Sequence, residues 1–129
     1  MANALYPTGK EALLGSLNWL TDDFRVVLLS SAYAYNSAHQ YHSSLTGILA
    51  TSANLSGKTA ASGVADASDI TISAVTGTVA SLVLVRWSGT SGTSELIAYM
   101  DTGNGFGVTL AAEDVRLIWS DGSSKIFAL

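Results

Sequence analysis

His39 and His42 stand three residues apart, a spacing that on a helix would set two imidazoles on one face and let them share a metal ion. No acidic residue lies between Asn36 and Leu45 to complete a ligand shell, so the expectation is two surface or interface histidines and no metal. Ser56-Gly57-Lys58-Thr59 has the tail of a phosphate-binding loop. The full motif needs a glycine five positions before Gly57, where this chain has Ser52, and without it the backbone N–H groups cannot be turned towards a phosphate. A polar turn is expected there instead. Asp101-Thr102-Gly103-Asn104-Gly105 has the outline of a calcium loop, but its third and fifth positions are glycines and its twelfth is Ala112, which leaves too few oxygens.

Serines are abundant, yet no Gly-x-Ser-x-Gly elbow occurs, and the lack of cysteine excludes thiolate nucleophiles, thiolate metal sites and disulfides. Three acid pairs, Asp22-Asp23, Asp66 with Asp69, and Glu113-Asp114, flank predicted strands. Solvated turn acids are the ordinary reading of such pairs, with a glycosidase-like couple as the alternative because the separation that matters is spatial. Trp19, Trp87 and Trp119 could stack on sugars or bases, but in so apolar a chain burial in a core or an interface is favoured. The expectation is a protein without catalytic residues or cofactors, not an enzyme.

The elements that would position these side chains are mostly strands. Thr8-Gly9-Lys10-Glu11 has the spacing of a capping box and predicts a short helix from Gly9, with Ala12, Leu13, Leu14 and Leu17 near one face, weakened by Gly15 and closed by Asn18. Phe24 to Leu29 is a compact β-prone run between Asp22-Asp23 and Ser30-Ser31. Ala38, Tyr41 and Leu45 recur at helical spacing behind a possible cap at Asn36 and predict a second short helix. Beyond Gly47, strands are predicted over Ile48 to Leu55, Ile70 to Ile72, Val79 to Trp87, Glu95 to Met100, Val115 to Trp119 and Lys125 to Phe127, separated by glycine-containing turns. Leu82-Val83-Leu84-Val85 is apolar on both faces, as a central strand or one at an interface would be. Together these predict a mostly β fold, an antiparallel β-sandwich or barrel-like domain with one or two short helices in the N-terminal third. Residues 1–129 read as a single β-rich domain with an N-terminal arm of about residues 1–8.

Only 12% of residues are charged, against a usual share of about 25%, while 48% are hydrophobic. No apolar run approaches the roughly 20 residues of a membrane helix, so no membrane partner is expected. Lys+Arg 6 against Asp+Glu 10 gives a net charge of −4 and no basic footprint for a phosphate backbone, so nucleic acid is not expected as a partner either. A surface with so few charges is best explained by burial against other chains, which predicts a homo-oligomer, with a trimer as one order, or an assembly component. The first residues lack the basic region and long apolar stretch of a secretory signal, so release from a cell is expected to follow lysis.

Ala4-Leu5-Tyr6-Pro7 followed by Gly9-Lys10 and Ala12, then Phe24 to Leu29, then Tyr35 and Ala38-His39 before Leu45, resembles small virion proteins encoded among the structural genes of tailed bacteriophages. The likeness continues through Leu55-Ser56-Gly57-Lys58-Thr59, Gly63-Val64-Ala65-Asp66-Ala67, Leu96-Ile97-Ala98-Tyr99 with Asp101, Trp119-Ser120-Asp121-Gly122 and the closing Lys125-Ile126-Phe127-Ala128-Leu129. It implies a structural virion protein, assembled in the bacterial cytoplasm and similar to capsid decoration, or cement, proteins that bind the outside of the head and bridge major capsid subunits. The alternative is a tail-fibre or baseplate domain that takes part in recognising a host-surface glycan. The resemblance brings no active-site residues with it. For the cement reading, Leu5, Tyr6 and Pro7 are the expected docking arm, since an extended segment ahead of a helix can lie on a neighbour, and Trp87 is the expected interface aromatic.

Overall fold

The computed structural model describes residues 4–15, 17–101, 106–119 and 126–128, the last two by their backbone alone. Strands account for 44% of the described residues, so the expected mostly β, antiparallel fold is observed, with one N-terminal helix. In chain order the elements are β1 (Ala4–Leu5), α1 (Pro7–Gly15), β2 (Phe24–Leu29), β3 (Ile48–Thr51), β4 (Thr59–Ala61), β5 (Val64–Asp66), β6 (Ile70–Thr78), β7 (Ser81–Arg86), β8 (Glu95–Met100), β9 (Thr109–Leu117) and β10 (Phe127–Ala128).

A five-stranded sheet in the order β1-β8-β7-β2-β3 is the largest unit, and its strands pair antiparallel throughout. β7 is its middle strand, which is why Leu82 to Val85 are apolar on both faces: all four are buried. Alternation sends Phe24, Val26, Leu28, Leu82 and Leu84 to one face and Val27, Leu29, Val83 and Val85 to the other. On the first face they pack with Ile72 and Val75 of β6, with Ala65 of β5, and with Trp19, Leu55 and Trp119 from outside the strands; β5 and β6 belong to smaller units. These are a three-stranded sheet, β10-β5-β4, and a two-stranded ribbon, β6-β9. The second face is covered by side chains from outside the strands, chiefly Tyr6, Tyr33 and Leu45.

The helix begins at Pro7, two residues before the start expected from the capping box. Proline suits the first helical position because its missing N–H has no intrahelical acceptor there, and its fixed φ is already helical. Thr8 therefore lies inside the first turn with its hydroxyl buried and unpartnered, so no capping box forms. The helix closes where Leu17 N–H donates to Ala12 O at 2.9 Å, and Asn18 instead opens a turn by accepting from Leu20 N–H at 3.0 Å. At Gly9 the helix lies directly on β8: a Cβ there would collide with the carbonyl oxygen of Leu96 and sit 2.9 Å from Ile97 Cα.

The second helix expected over Asn36 to Leu45 does not form; only a 3-10 turn, His42–Ser44, occupies that stretch. The backbone there is committed to β8. Leu96 N–H donates to Gln40 O at 2.9 Å, His42 N–H donates to Ser94 O at 2.8 Å, and Tyr41 bridges Glu95 antiparallel. That pairing requires an extended chain, so the helical spacing of Ala38, Tyr41 and Leu45 has no helix behind it. The arm is also different from its expectation. Ala4 and Leu5 pair with Tyr99 and Ala98 as the edge strand β1, and Tyr6 N–H donates to Ile97 O at 2.9 Å.

Candidate functional site

Two polar clusters gather most of the side chains capable of chemistry. The first sits just beyond the end of β7, where Trp87 N–H donates to Asp23 O at 2.7 Å. The Arg25 guanidinium lies 5.7 Å from the Trp87 ring centroid and forks onto the Asp23 carboxylate, Nε to Oδ1 at 3.0 Å and Nη2 to Oδ2 at 2.9 Å. Asp23 raises the pKa of that guanidinium. His42 meets the same indole edge-on with centroids 5.4 Å apart, and burial lowers its pKa. Beside them Arg86 and Glu95, cross-strand partners in β7 and β8, form a second fork at 3.1 Å for each bond. Trp87 is thus a half-buried ring with a cation on its face and an imidazole at its edge.

The second cluster is built from four of the five tyrosines. Tyr6 is fully buried, with its hydroxyl 2.6 Å from that of Tyr33, which in turn lies 2.9 Å from His39 Nδ1. Both phenolic hydrogens find acceptors if Tyr6 donates to Tyr33 and Tyr33 donates to Nδ1 of a neutral imidazole carrying its hydrogen on Nε2. Tyr35 packs between Tyr6 and Tyr99 at centroid distances of 5.0 and 5.2 Å, and Tyr99 donates to Asp101 at 3.1 Å. Burial pushes the phenols of Tyr6, Tyr33 and Tyr99 up, reinforced at Tyr6 by its bond to Tyr33 and at Tyr99 by Asp101. Both clusters fasten loops to the five-stranded sheet.

The structure separates the residues that spacing had placed together. His39 belongs to the tyrosines and His42 to Trp87, and among the described residues no three metal-ligating side chains converge on one point. Lys58 of the loop-like Ser56-Gly57-Lys58-Thr59 segment is a strut, donating to Asp22 O at 2.6 Å and Asn54 Oδ1 at 3.0 Å and lying over the Phe24 ring; burial lowers its pKa against the pull of Asp23 and Asp22. The acids hold backbone: Asp22 accepts from Asn18 N–H, Asp69 from Trp119 N–H, Asp114 from Ala74 N–H and Glu113 from Ala111 N–H. Trp19 and Trp119 are core residues whose indoles donate to Thr59 O and Ser68 O. Of the calcium-like loop, 102–105 lie outside the described residues. Within the proposed arm Leu5 is half-buried in β1, Tyr6 is core and Pro7 is exposed at the head of α1, so Tyr6 cannot lie on a neighbour while this fold is intact.

No family model and no curated protein matches the chain. The surface also carries large apolar side chains. Leu14, Leu20, Ile48, Val108 and Ile118 are between 42% and 78% exposed. A pocket of about 140 Å³ opens between Leu13, Leu17 and Trp19 on one side and Ala60, Gly63 and Val64 on the other. Neither the pocket nor the tyrosine cluster was drawn from sequence spacing. The signal for the pocket is a lack of charge: no Asp, Glu, Lys or Arg occurs from Ala12 to Thr21 or from Thr59 to Ala65.

Proposed function

We propose that this chain is a structural virion protein that acts by burying surface against neighbouring chains, and that its place is the outside of a tailed-phage head, where it decorates the shell and bridges major capsid subunits. One observation carries the first part. The polar and ionisable side chains described above are taken up in holding loops and strand ends, while five long aliphatic side chains stand exposed on a chain with 12% charged residues. The phage head rests on the resemblance of the sequence to virion proteins. Binding only the assembled shell would stabilise it by linkage, since the free energy of docking adds to that needed to separate capsid subunits.

Particles purified from the host that carries the gene test this directly, by mass spectrometry for the chain and by antibody labelling for its position. Label over the head, with heads lacking the chain opening at lower temperature, supports decoration. Label at the tail tip supports the fibre or baseplate reading instead, and purified particles devoid of the chain refute both.

A further inference from the structure

The Lys58 amine stands within bonding reach of a side-chain carboxamide. Its Nζ donates to Asn54 Oδ1 at 3.0 Å, which sets the nitrogen next to Cγ, the carbon that carries that oxygen. The two are within about one bond length of the roughly 3–3.5 Å at which reacting atoms stand before attack. Asp22 O, at 2.6 Å, and the Phe24 ring, its centroid 5.5 Å from Nζ, hold the amine in place. The loop that carries both residues is tied down by backbone: Leu55 N–H donates to Phe24 O at 2.8 Å and Ser68 N–H to Ser56 O at 2.9 Å.

The surroundings supply what an exchange of one amide for another requires. The nucleophile has to be neutral, and burial lowers the lysine pKa. Charge that develops on the carboxamide oxygen needs a donor already aimed at it, and Asn54 Oδ1 accepts from Phe24 N–H at 3.1 Å. Protons need a carrier, and the charges of Asp23 and Asp22 both act on this amine. Both Asp23 oxygens accept from Arg25, whereas Asp22 uses Oδ2 to accept from Asn18 N–H, so Asp22 is the better placed to carry a proton.

We propose that Lys58 and Asn54 join in an intramolecular isopeptide bond, a covalent clasp at the start of β2. Lys58 Nζ gives one proton to Asp22 and attacks Asn54 Cγ, and the C=O electron pair moves to Oδ1 beside Phe24 N–H. Asp22 passes that proton to Nδ2 and takes a second from Nζ. The carbonyl re-forms, the Cγ–Nδ2 bond breaks, ammonia leaves, and Asp22 releases its proton to water. No oxidant or cofactor is required, and the exposed position of Asn54 gives ammonia an open path.

Mass spectrometry of the purified, folded full chain tests this. The wild type should be lighter than its sequence by one ammonia, or become so on incubation, and Lys58→Arg should not. Trypsin should then leave residues 26–86 as one peptide, because Lys58 no longer presents a free amine. Asp22→Asn should slow the conversion by roughly 100-fold or more. A folded wild type that keeps its full mass through long incubation, or a Lys58→Arg variant that also loses ammonia, overturns the proposal. So does a lighter chain that trypsin still cuts after Lys58, since Asn54 has then closed on its own backbone as a succinimide. The bond needs only this chain, so its absence leaves the virion reading standing, and particles without the chain leave the bond standing.

Discussion

Replacing Gly9 by alanine should destabilise the protein, although the same change in an isolated helix would stabilise it by about 1 kcal/mol. The added Cβ would collide with the Leu96 carbonyl oxygen and stand 2.9 Å from Ile97 Cα and 3.2 Å from Ile97 O. All three are backbone atoms of β8, which is paired with β7 on one side and β1 on the other, so no side-chain rotation can make room. The helix has to lift, at the upper end of the roughly 1–3 kcal/mol that overpacking costs, leaving a net loss of about 2 kcal/mol. For a chain of this length that lowers the melting temperature by about 5–10 °C. Gly15, at the other end of α1, supplies the control. A Cβ there meets nothing within 4 Å, so Gly15→Ala should be neutral or gain about 0.5 kcal/mol. Thermal and urea unfolding of both variants give the answer, and a Gly9→Ala protein as stable as the wild type would refute the close contact of α1 with β8.

Tyr33→Phe should cost about 1–3 kcal/mol in urea unfolding, because it strands the hydroxyl of fully buried Tyr6, and it should cost more than Tyr6→Phe, which leaves Tyr33 its bond to His39. In an alkaline titration followed by phenolate absorbance, Tyr6, Tyr33 and Tyr99 should stay protonated beyond the ordinary 10.0. Their raised pKa in the folded state means that stability is whole below pH 10 and falls as the pH rises above it, when only the unfolded chain ionises freely. His42 works at the acid end: its folded pKa lies below the ordinary 6.5, so the unfolded chain takes the proton first and stability falls as the pH drops below 6.5. His42→Gln should flatten that part of the stability profile, and an unchanged slope would assign the loss to other groups.

The strands legible in the sequence were those whose side chains both favour extended backbone and find a sheet to fill. Phe24–Leu29 and Glu95–Met100 end where turn residues end them, and the doubly apolar Leu82 to Val85 marked the centre of the sheet. β4 and β5 escaped notice because Thr59-Ala60-Ala61 and Val64-Ala65-Asp66 are short and alanine-rich. They form a hairpin through Ser62 and Gly63, both at positive φ. The β6-β9 ribbon runs longer than expected by passing through Ala74 and Ala112 in the left-handed region, a conformation that alanine does not advertise. The error over Asn36 to Leu45 came from reading spacing where backbone pairing to β8 decides. His39 and His42 were expected at a surface or interface and Lys58 in a polar turn; the structure gives His39 a nearby partner in Tyr33, but the partners of His42 and Lys58, Trp87 and Asp22, are distant in sequence. Which tyrosines meet depends on pairing between distant strands, and no local pattern carries it.

The strand order has a consequence for how the chain is made. β1 and the docked face of α1 belong against β8, so on a ribosome residues 4–15 have no sheet to join until Glu95 to Met100 have emerged. At about 5–20 residues per second that wait lasts roughly 5–20 s, during which β2 can pair only with β3 before β7 appears. Through that interval Tyr6 and the apolar strand Phe24 to Leu29 are exposed together. A nascent chain halted before β8 is therefore a species prone to stick to its neighbours, and production of soluble protein should depend more on completing the last third of the chain than on the stability of the finished fold.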